Sequence, residues 1–200
     1  MKKITSVLSM ALFGLAAFAG NPVKQKVAVD TKSSKMEWIA EKVTGKHWGT
    51  VDIKSGEFEL EGDQLTGGTF DIDMTTITVV DLEEKETNAK LKGHLMSDDF
   101  FSVENHNTAQ FVITKVKAKE GKNGNNYEIT GDLTIKGITK PITFPARISM
   151  KDNQLKAYAS LDVDRTKWDV RYGSGSFFDD LGDRTIYDEF NIKLDLTANM

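Results

Sequence analysis

Two charged residues stand where an alternating strand pattern otherwise places apolar side chains. Arg165 continues the parity of Leu161 at the end of one predicted strand, and Asp188 continues that of Phe190 at the start of the next. Residues of one parity share a strand face, so antiparallel pairing would bring Arg165 and Asp188 to the same rim. Because an unpaired buried arginine is costly, we predict a salt bridge between them. In the alternative, the planar guanidinium of Arg165 binds the polar head of a ligand.

The remaining reactive side chains form no pattern typical of catalysis or metal binding. The chain has three histidines and no cysteine, and His47, His94 and His106 lack the spacing of metal ligands. The Gly-Ser-Gly-Ser run at 173–176 lacks the strand and helix that flank a serine nucleophile elbow. We therefore expect no catalytic residue, no metal and no cofactor, so the chain is not predicted to be an enzyme.

Residues 1–19 have the pattern of a secretory signal peptide. Lys2 and Lys3 form a positive start, residues 7–18 are mostly apolar, and Ala17-Phe18-Ala19 is a small-x-small cleavage pattern. The apolar run is shorter than the ~20 residues that span a membrane, and no later segment approaches that length. We expect cleavage near Ala19, no stable membrane insertion and a periplasmic or secreted protein. A retained membrane anchor is the alternative.

Charge and composition narrow the class of partner. Without Lys2 and Lys3 the chain has 24 basic and 30 acidic residues, a formal charge of −6. The basic residues do not cluster, so nucleic acid is not an expected partner. A secreted protein without cysteine must be stable without disulfides, and a closed sheet with a continuous core meets that need.

Alternation of apolar and polar residues predicts an all-β domain over 34–198, after an N-terminal extension at 20–33. The pattern is clearest from Tyr127 to Ile148 and is interrupted there by a turn at Gly137. Short turns rich in glycine and asparagine separate most of the segments. The pattern predicts eight antiparallel strands in a barrel or a sandwich, at 34–43, 49–60, 64–74, 108–119, 126–136, 138–149, 154–165 and 188–198.

Two long connections and two prolines depart from this regular pattern. Within 75–107 we predict one helix over 81–95, with Asp81 as its cap. The other connection, 166–187, contains the Gly/Ser run and Phe177-Phe178, which we expect beside the rim as apolar anchors that cover an opening. Pro141 and Pro145 fall inside a predicted strand, where they indicate a bulge or bend.

Several sequence blocks resemble the YceI-like family of bacterial polyisoprenoid-binding proteins. The most specific are Leu-Lys-Gly-His-Leu at 91–95, followed by Asp-Asp-Phe-Phe at 98–101, and Thr-Gly-Asp-Leu-Thr-Ile-Lys-Gly at 130–137. Blocks at 38–49, 65–74 and 108–111, with Asp164-Arg165 and Asp188, follow in the family's order. The resemblance covers nearly all of 34–198. It departs at Asn107, where the family commonly has proline.

The resemblance implies an eight-stranded lipocalin-like barrel with a helix near one end and an elongated apolar cavity. The implied partner is a polyisoprenoid, an isoprenoid quinone or another long-chain lipid, carried or stored in the cavity. The sequence leaves open whether the chain forms a homodimer. A lipid-modifying enzyme or stress-response factor using the same cavity is the alternative function. For any single inward residue a filled core is the competing interpretation. The predicted cavity residues are Trp38, Phe58, Phe70, Ile72, Met74, Phe111, Ile113, Leu133, Ile135, Phe144, Ile148, Leu161, Phe190 and Ile192.

Overall fold

The computed structural model of the chain describes residues 23–200. The predicted signal peptide at 1–19 therefore lies outside the described residues, as does the start of the predicted extension at 20–33. Among residues 23–200, no helix is both long and apolar enough to cross a membrane.

The described chain forms one antiparallel sheet and a single α-helix. Its elements in chain order are β1 Lys24–Ala28, β2 Lys35–Lys42, β3 Gly45–Thr50, β4 Asp52–Glu61, β5 Gln64–Asp73, α1 Lys85–Met96, β6 Thr108–Ala118, β7 Tyr127–Ile135, β8 Ile138–Lys151, β9 Gln154–Asp164 and β10 Ile186–Asn199.

The sheet is strongly curled and has the lipocalin-like fold that was expected. Across it the strands lie in the order β1-β4-β5-β6-β7-β8-β9-β10-β2-β3. The edge strand β1 returns toward β10, because Val29 just after it forms an antiparallel bridge with Ala198. At the other edge, Val51 between β3 and β4 donates its N–H to Met36 O at 3.1 Å. The inner face of the curled sheet therefore surrounds a continuous core, as closure of a sheet requires.

The structure corrects the predicted number of strands from eight to ten. The strand expected at 49–60 is divided at Val51, so that β3 pairs with β2 while β4 pairs with β5 and β1. The other additional strand, β1, lies in the expected extension. Its only buried residue is Val27, so a mostly polar edge strand left no alternation to detect.

The helix is confirmed, but its cap is a different residue from the predicted one. Glu84 caps α1, because its carboxylate accepts hydrogen bonds from the N–H groups of Glu86 and Thr87 at 2.9 and 2.6 Å. Asp81 instead accepts from Trp48 N–H at 3.0 Å and lies 2.7 Å from His47 Nδ1. Asp81 therefore fastens the 75–107 connection to β3 and does not cap the helix.

The two prolines of β8 do not produce the expected bulge against β7. Pro141 and Pro145 lie opposite Asp132 and Glu128 in a continuous register. The prolines are tolerated because β8 pairs with β9 only from Ala146 onward. At residues 141 and 145 no strand on that side would accept a backbone hydrogen bond, so no ladder bond is lost.

Apolar side chains form two packed clusters. The larger fills the curled sheet, and the smaller joins Trp38 of β2 to Leu95 of α1, Phe100 and Val170. The second cluster fastens the helix and both long connections over one end of the sheet.

Two glycines provide a matched test of this packing. A methyl group on Gly131 in β7 would lie 2.4 Å from Phe111 Cζ and 2.5 Å from Val112 O, whereas one on Gly93 in α1 has no neighbour within 4 Å. We expect Gly131→Ala to lower the free energy of unfolding by about 1–3 kcal/mol, since β6 must shift. Gly93→Ala should raise it by about 0.5–1 kcal/mol, because alanine favours a helix. Urea unfolding of both variants measures this, and equal effects would contradict the packing.

Candidate ligand-binding cavity

The core of the curled sheet contains two adjoining cavities. The inner cavity, of about 100 Å³, lies between Phe58, Leu65, Ile129 and Ile148. The rim cavity, of about 90 Å³, lies beneath the long connections. Carbon side chains provide nearly all of both linings, and the guanidinium of Arg165 at the rim is the main exception.

All fourteen predicted residues face one cavity or both. Phe58, Phe70, Phe111, Ile113, Phe144, Ile148 and Leu161 line the inner cavity; Trp38, Met74, Ile135 and Phe190 line the rim cavity; Ile72, Leu133 and Ile192 line both. Their position follows from strand parity, while their part in binding a ligand stays a prediction.

The junction between the cavities determines whether one long chain can occupy both of them. Met36, Ile72, Leu133 and Ile192 contact both spaces. Each cavity is smaller than the ~150 Å³ that accommodates a benzene ring in an engineered protein core. A long chain must therefore pass between these four side chains. Met36 is the most adaptable, since it is unbranched and only partly buried.

Sequence reasoning missed several lining residues, and two groups of them show why. Ala157 and Ala159 of β9 line the inner cavity, although their parity with Leu161 was visible, because alanine carries little apolar signal. Leu95, Phe100 and Phe101 line the rim cavity from α1 and the segment after it. These three residues lie outside the predicted strands, so strand parity could not identify them. The Asp98-Asp99-Phe100-Phe101 block was the sequence feature that drew attention to this segment.

Arg165 lies at the rim, but most of its donors are directed at the backbone. Its Nε donates to Tyr187 O at 3.1 Å, its Nη1 to Val170 O at 2.9 Å and to Tyr172 O at 3.0 Å, and its Nη2 to Ile186 O at 3.0 Å. The side chain is 5% exposed. Burial lowers the pKa of the Arg165 guanidinium, against the opposing effect of Asp188. Four carbonyls in place of water compensate the buried charge.

A bulge in β10 presents two of these carbonyls. The register between β10 and β2 shifts between Ile186 and Phe190, so three β10 residues lie opposite Glu41 alone. Such a bulge bends the strand and turns its backbone groups out of the ladder. Arg165 itself begins a 3₁₀ turn, Arg165–Trp168, rather than ending β9.

Asp188 is within ion-pair distance of Arg165 but is held mainly by serines. Arg165 Nη2 lies 3.7 Å from Asp188 Oδ1, which accepts no hydrogen bond from the described residues. Ser176 Oγ donates to Asp188 Oδ2. Burial alone raises the pKa of the Asp188 carboxyl, but hydrogen bonds from Ser174 and Ser176 and the charge of Arg165 outweigh it, so the net pKa is lowered.

The expected apolar anchors lie beside this rim without covering it. Phe177 and Phe178 are 45% and 50% exposed, and neither lines a cavity. The guanidinium of Arg171 stacks 4.7 Å from the Phe177 ring centre. Within the same stretch Ser174 is fully buried and Ser176 donates to Asp188, so the Gly/Ser run helps to hold Asp188.

Two of the three histidines lie in separate pairs with carboxylates. His47 pairs with Asp81, while His94 Nε2 lies 3.0 Å from Asp99 Oδ2 and its ring meets Tyr172 edge-on at 4.5 Å. Over residues 23–200, no group of three or more His, Asp or Glu side chains could hold a metal ion.

Comparison with known proteins agrees with the geometry. A family model described as "YceI-like domain" matches residues 27–198. The chain belongs to the YceI-like family. It is 30% identical to Protein YceI of Escherichia coli over 153 residues, which is 74% of this chain and 73% of that one. It is 32% identical to a UPF0312 protein of Vibrio vulnificus over 154 residues, covering 73% of this chain and 74% of the other.

Two solved structures share the YceI-like fold. BcnA of Burkholderia cenocepacia aligns with a TM-score of 0.65 and 23% identity, over 86% of this chain and 99% of that one. A polyisoprenoid binding domain from Saccharophagus degradans, implicated in plant cell wall breakdown, aligns with a TM-score of 0.62 and 11% identity, over 86% and 97% of the two chains. At these identities the likeness concerns the fold.

The rim of this YceI-like protein gives a test of the role of Arg165. Arg165→Ala strands four carbonyls and a partly buried carboxylate, so we expect it to lower the free energy of unfolding by about 3–5 kcal/mol. Asp188→Asn keeps the carbonyl bonds and should cost only about 1 kcal/mol. Thermal and urea unfolding of both variants measure the contrast. A stable Arg165→Ala protein that loses a bound ligand would instead indicate a headgroup site.

The lowered pKa of Asp188 predicts a specific loss of stability in acid. Its ionised form is favoured in the folded state, so its contribution is fully present above the ordinary aspartate pKa of 3.8. That contribution should disappear as pH falls below 3.8 and through the lower folded pKa. We expect the difference in unfolding free energy between the native chain and Asp188→Asn to be constant above about pH 5 and to shrink below it. A constant difference down to pH 2 would refute this.

Proposed function

We propose that this YceI-like protein binds a long-chain apolar amphiphile in its two cavities and carries or stores it. The ligand class is a polyisoprenoid, an isoprenoid quinone or a fatty-acid-like lipid. The observation that carries the proposal is the pair of adjoining cavities, each lined almost entirely by carbon and sharing four side chains. A packed core would have filled this space, whereas a slender chain needs it to be continuous.

Apolar burial alone supplies enough free energy for such a ligand. Each buried methylene contributes about 0.8 kcal/mol, so ten buried carbons contribute on the order of 8 kcal/mol before the costs of association. No polar contact inside the sheet is needed. The four backbone bonds of Arg165 leave little of its donor capacity for a headgroup, so we place the polar head outside the rim.

The family supports the ligand class and leaves its identity open. The domain from Saccharophagus degradans is described as polyisoprenoid-binding, and it shares the curled-sheet fold. We therefore take a polyisoprenoid as the first ligand to test. We also propose export to the periplasm or beyond, with residues 1–19 as the signal. Nucleic acid is not among the proposed partners.

Organic extraction of purified native protein tests the proposal directly. A carrier or storage protein should yield one unmodified long-chain molecule per chain by mass spectrometry. The alternative, a lipid-modifying enzyme or a stress-response factor, predicts instead a converted lipid or no stoichiometric lipid. Extraction from protein expressed in its own host separates these outcomes.

Filling the inner cavity should abolish binding without unfolding the protein. Ala159 faces that cavity from β9, and its neighbour Ser160 faces solvent. We expect Ala159→Leu to reduce the recovered lipid at least tenfold, because the added carbons occupy the ligand's space. Ser160→Leu adds the same group outside and should recover lipid like the native chain. Lipid retention by a folded Ala159→Leu protein would place the ligand elsewhere.

A further inference from the structure

The wall of the curled sheet has a gap between β8 and β9. The two strands pair from Lys151–Gln154 up to Ala146–Ala159 and then separate. Within the described residues, 138–145 pair with β7 alone and 160–164 with β10 alone. This stretch is therefore a break in the backbone ladder halfway along one side of the fold.

Proline chemistry explains where the ladder stops. Along β8 the backbone N–H and C=O groups of successive residues point alternately toward β7 and toward β9. Because a proline has no N–H to donate to β7, residues 139, 141, 143 and 145 are those whose backbone groups face β9. Arg147–Tyr158 is then a hydrogen-bonded pair, and the next such pair would be Pro145 with Ser160. Pro145 has no N–H to give, and Pro141 fails again four residues on. Two of the three prolines in the chain thus lie on this one edge.

The inner cavity reaches the wall at this point. Tyr158 faces outward on β9 and is 37% exposed, yet it also lines the inner cavity together with Phe144 and Ala146. Phe144 and Leu161 lie in the stretches of β8 and β9 that do not pair with each other, line the inner cavity and are 8% and 9% exposed. Side chains can change rotamer on a fast timescale without breaking a backbone ladder.

The upper end of the gap is held by Trp168. Its indole Nε1 donates at 3.0 Å from the 3₁₀ turn after β9 to Leu133 O of β7, and its ring is buried. Lys136 Nζ donates to Asp169 O at 3.2 Å beside it. The gap is therefore a bounded window between the Ala146–Ala159 pair and Trp168, not a frayed sheet end.

The β5–β6 ladder is equally short but lacks these features. β5 and β6 pair over six residues each, from Gly68–Ile113 to Asp73–Thr108. Neither strand contains a proline, and only inward residues of these strands line the cavities. Tyr158, by contrast, is an outward residue of β9 beside the last β8–β9 pairs, and it lines the inner cavity.

We propose that the β8–β9 gap is the portal through which the apolar chain of the ligand enters and leaves the inner cavity. This inference rests on the proposed function and adds a route to it. Pro141 and Pro145 prevent β8 from pairing further along β9, and the side chains of Phe144 and Leu161 close the portal. The ligand's tail passes sideways through the wall, and the covered rim near Arg165 stays closed during exchange.

Stapling the gap tests the portal. The chain has no cysteine, so Pro145→Cys with Ser160→Cys introduces a single disulfide across the first step beyond the ladder. Ser149→Cys with Lys156→Cys is the matched control, because these outward residues are already paired on the same strands. Stopped-flow fluorescence with cis-parinaric acid, an apolar-chain probe, measures association and dissociation in the oxidised and reduced forms. Thiol titration confirms closure of each disulfide.

We expect oxidation of the gap staple to slow both rates at least tenfold while the Kd changes less than twofold, with reversal by reductant. The control staple should change neither rate by more than twofold. Pro141→Val with Pro145→Val restores two N–H donors and should also slow exchange, independently of any disulfide. Unchanged rates with the staple closed, or with both valines, would overturn the portal and indicate entry at the rim. Failure of the native chain to bind the probe would count against the proposed function instead.

Discussion

The rim of this fold depends on one buried cation. Arg165 donates to the carbonyls of Val170, Tyr172, Ile186 and Tyr187, which lie near the two ends of the 166–187 connection. A guanidinium is suited to this because its donors lie in a rigid plane and it remains charged at any physiological pH. The connection, which contains the short 3₁₀ turns Arg165–Trp168 and Gly182–Arg184, is thereby folded back over the rim cavity. Asp188 and its serines complete the arrangement around the residual charge.

The rim and the β8–β9 wall of the molecule differ in how firmly they are held. The smaller apolar cluster, with Trp38 and Phe100, fastens α1 and the connections over the rim. The side wall between β8 and β9, by contrast, has side chains but no ladder over half its length. Local opening is cheapest where backbone hydrogen bonds are fewest, so motion is expected in the wall before the rim.

The cavities are retained at a cost in stability. At about 24 cal/mol per Å³, a void near 100 Å³ costs roughly 2 kcal/mol relative to a filled core. That is a substantial part of the stability of an ordinary domain. A bound apolar chain would restore the missing contacts and stabilise the folded state in proportion to its affinity. The same voids therefore link ligand loading to stability.

Strand parity alone determined much of this protein. The apolar faces of β5, β7 and β9, the inward position of all fourteen predicted cavity residues and the meeting of Arg165 with Asp188 follow from a period of two and hairpin adjacency. The family blocks at 91–101 and 130–137 added the lipocalin-like fold and the expectation of an apolar ligand, which no periodicity contains.

Tertiary structure decided the rest, because it depends on contacts between distant segments. The mostly polar strand β1 exists only because β4 offers it an edge, and Asp81 serves β3 because Trp48 N–H comes within reach. The β10 bulge turns carbonyls toward Arg165, which makes it a structural hub where the sequence left a headgroup site open. The prolines of β8 were visible from the start. Their meaning appeared only when β9 was seen to leave that edge, since a missing N–H matters only where a partner strand would have accepted it.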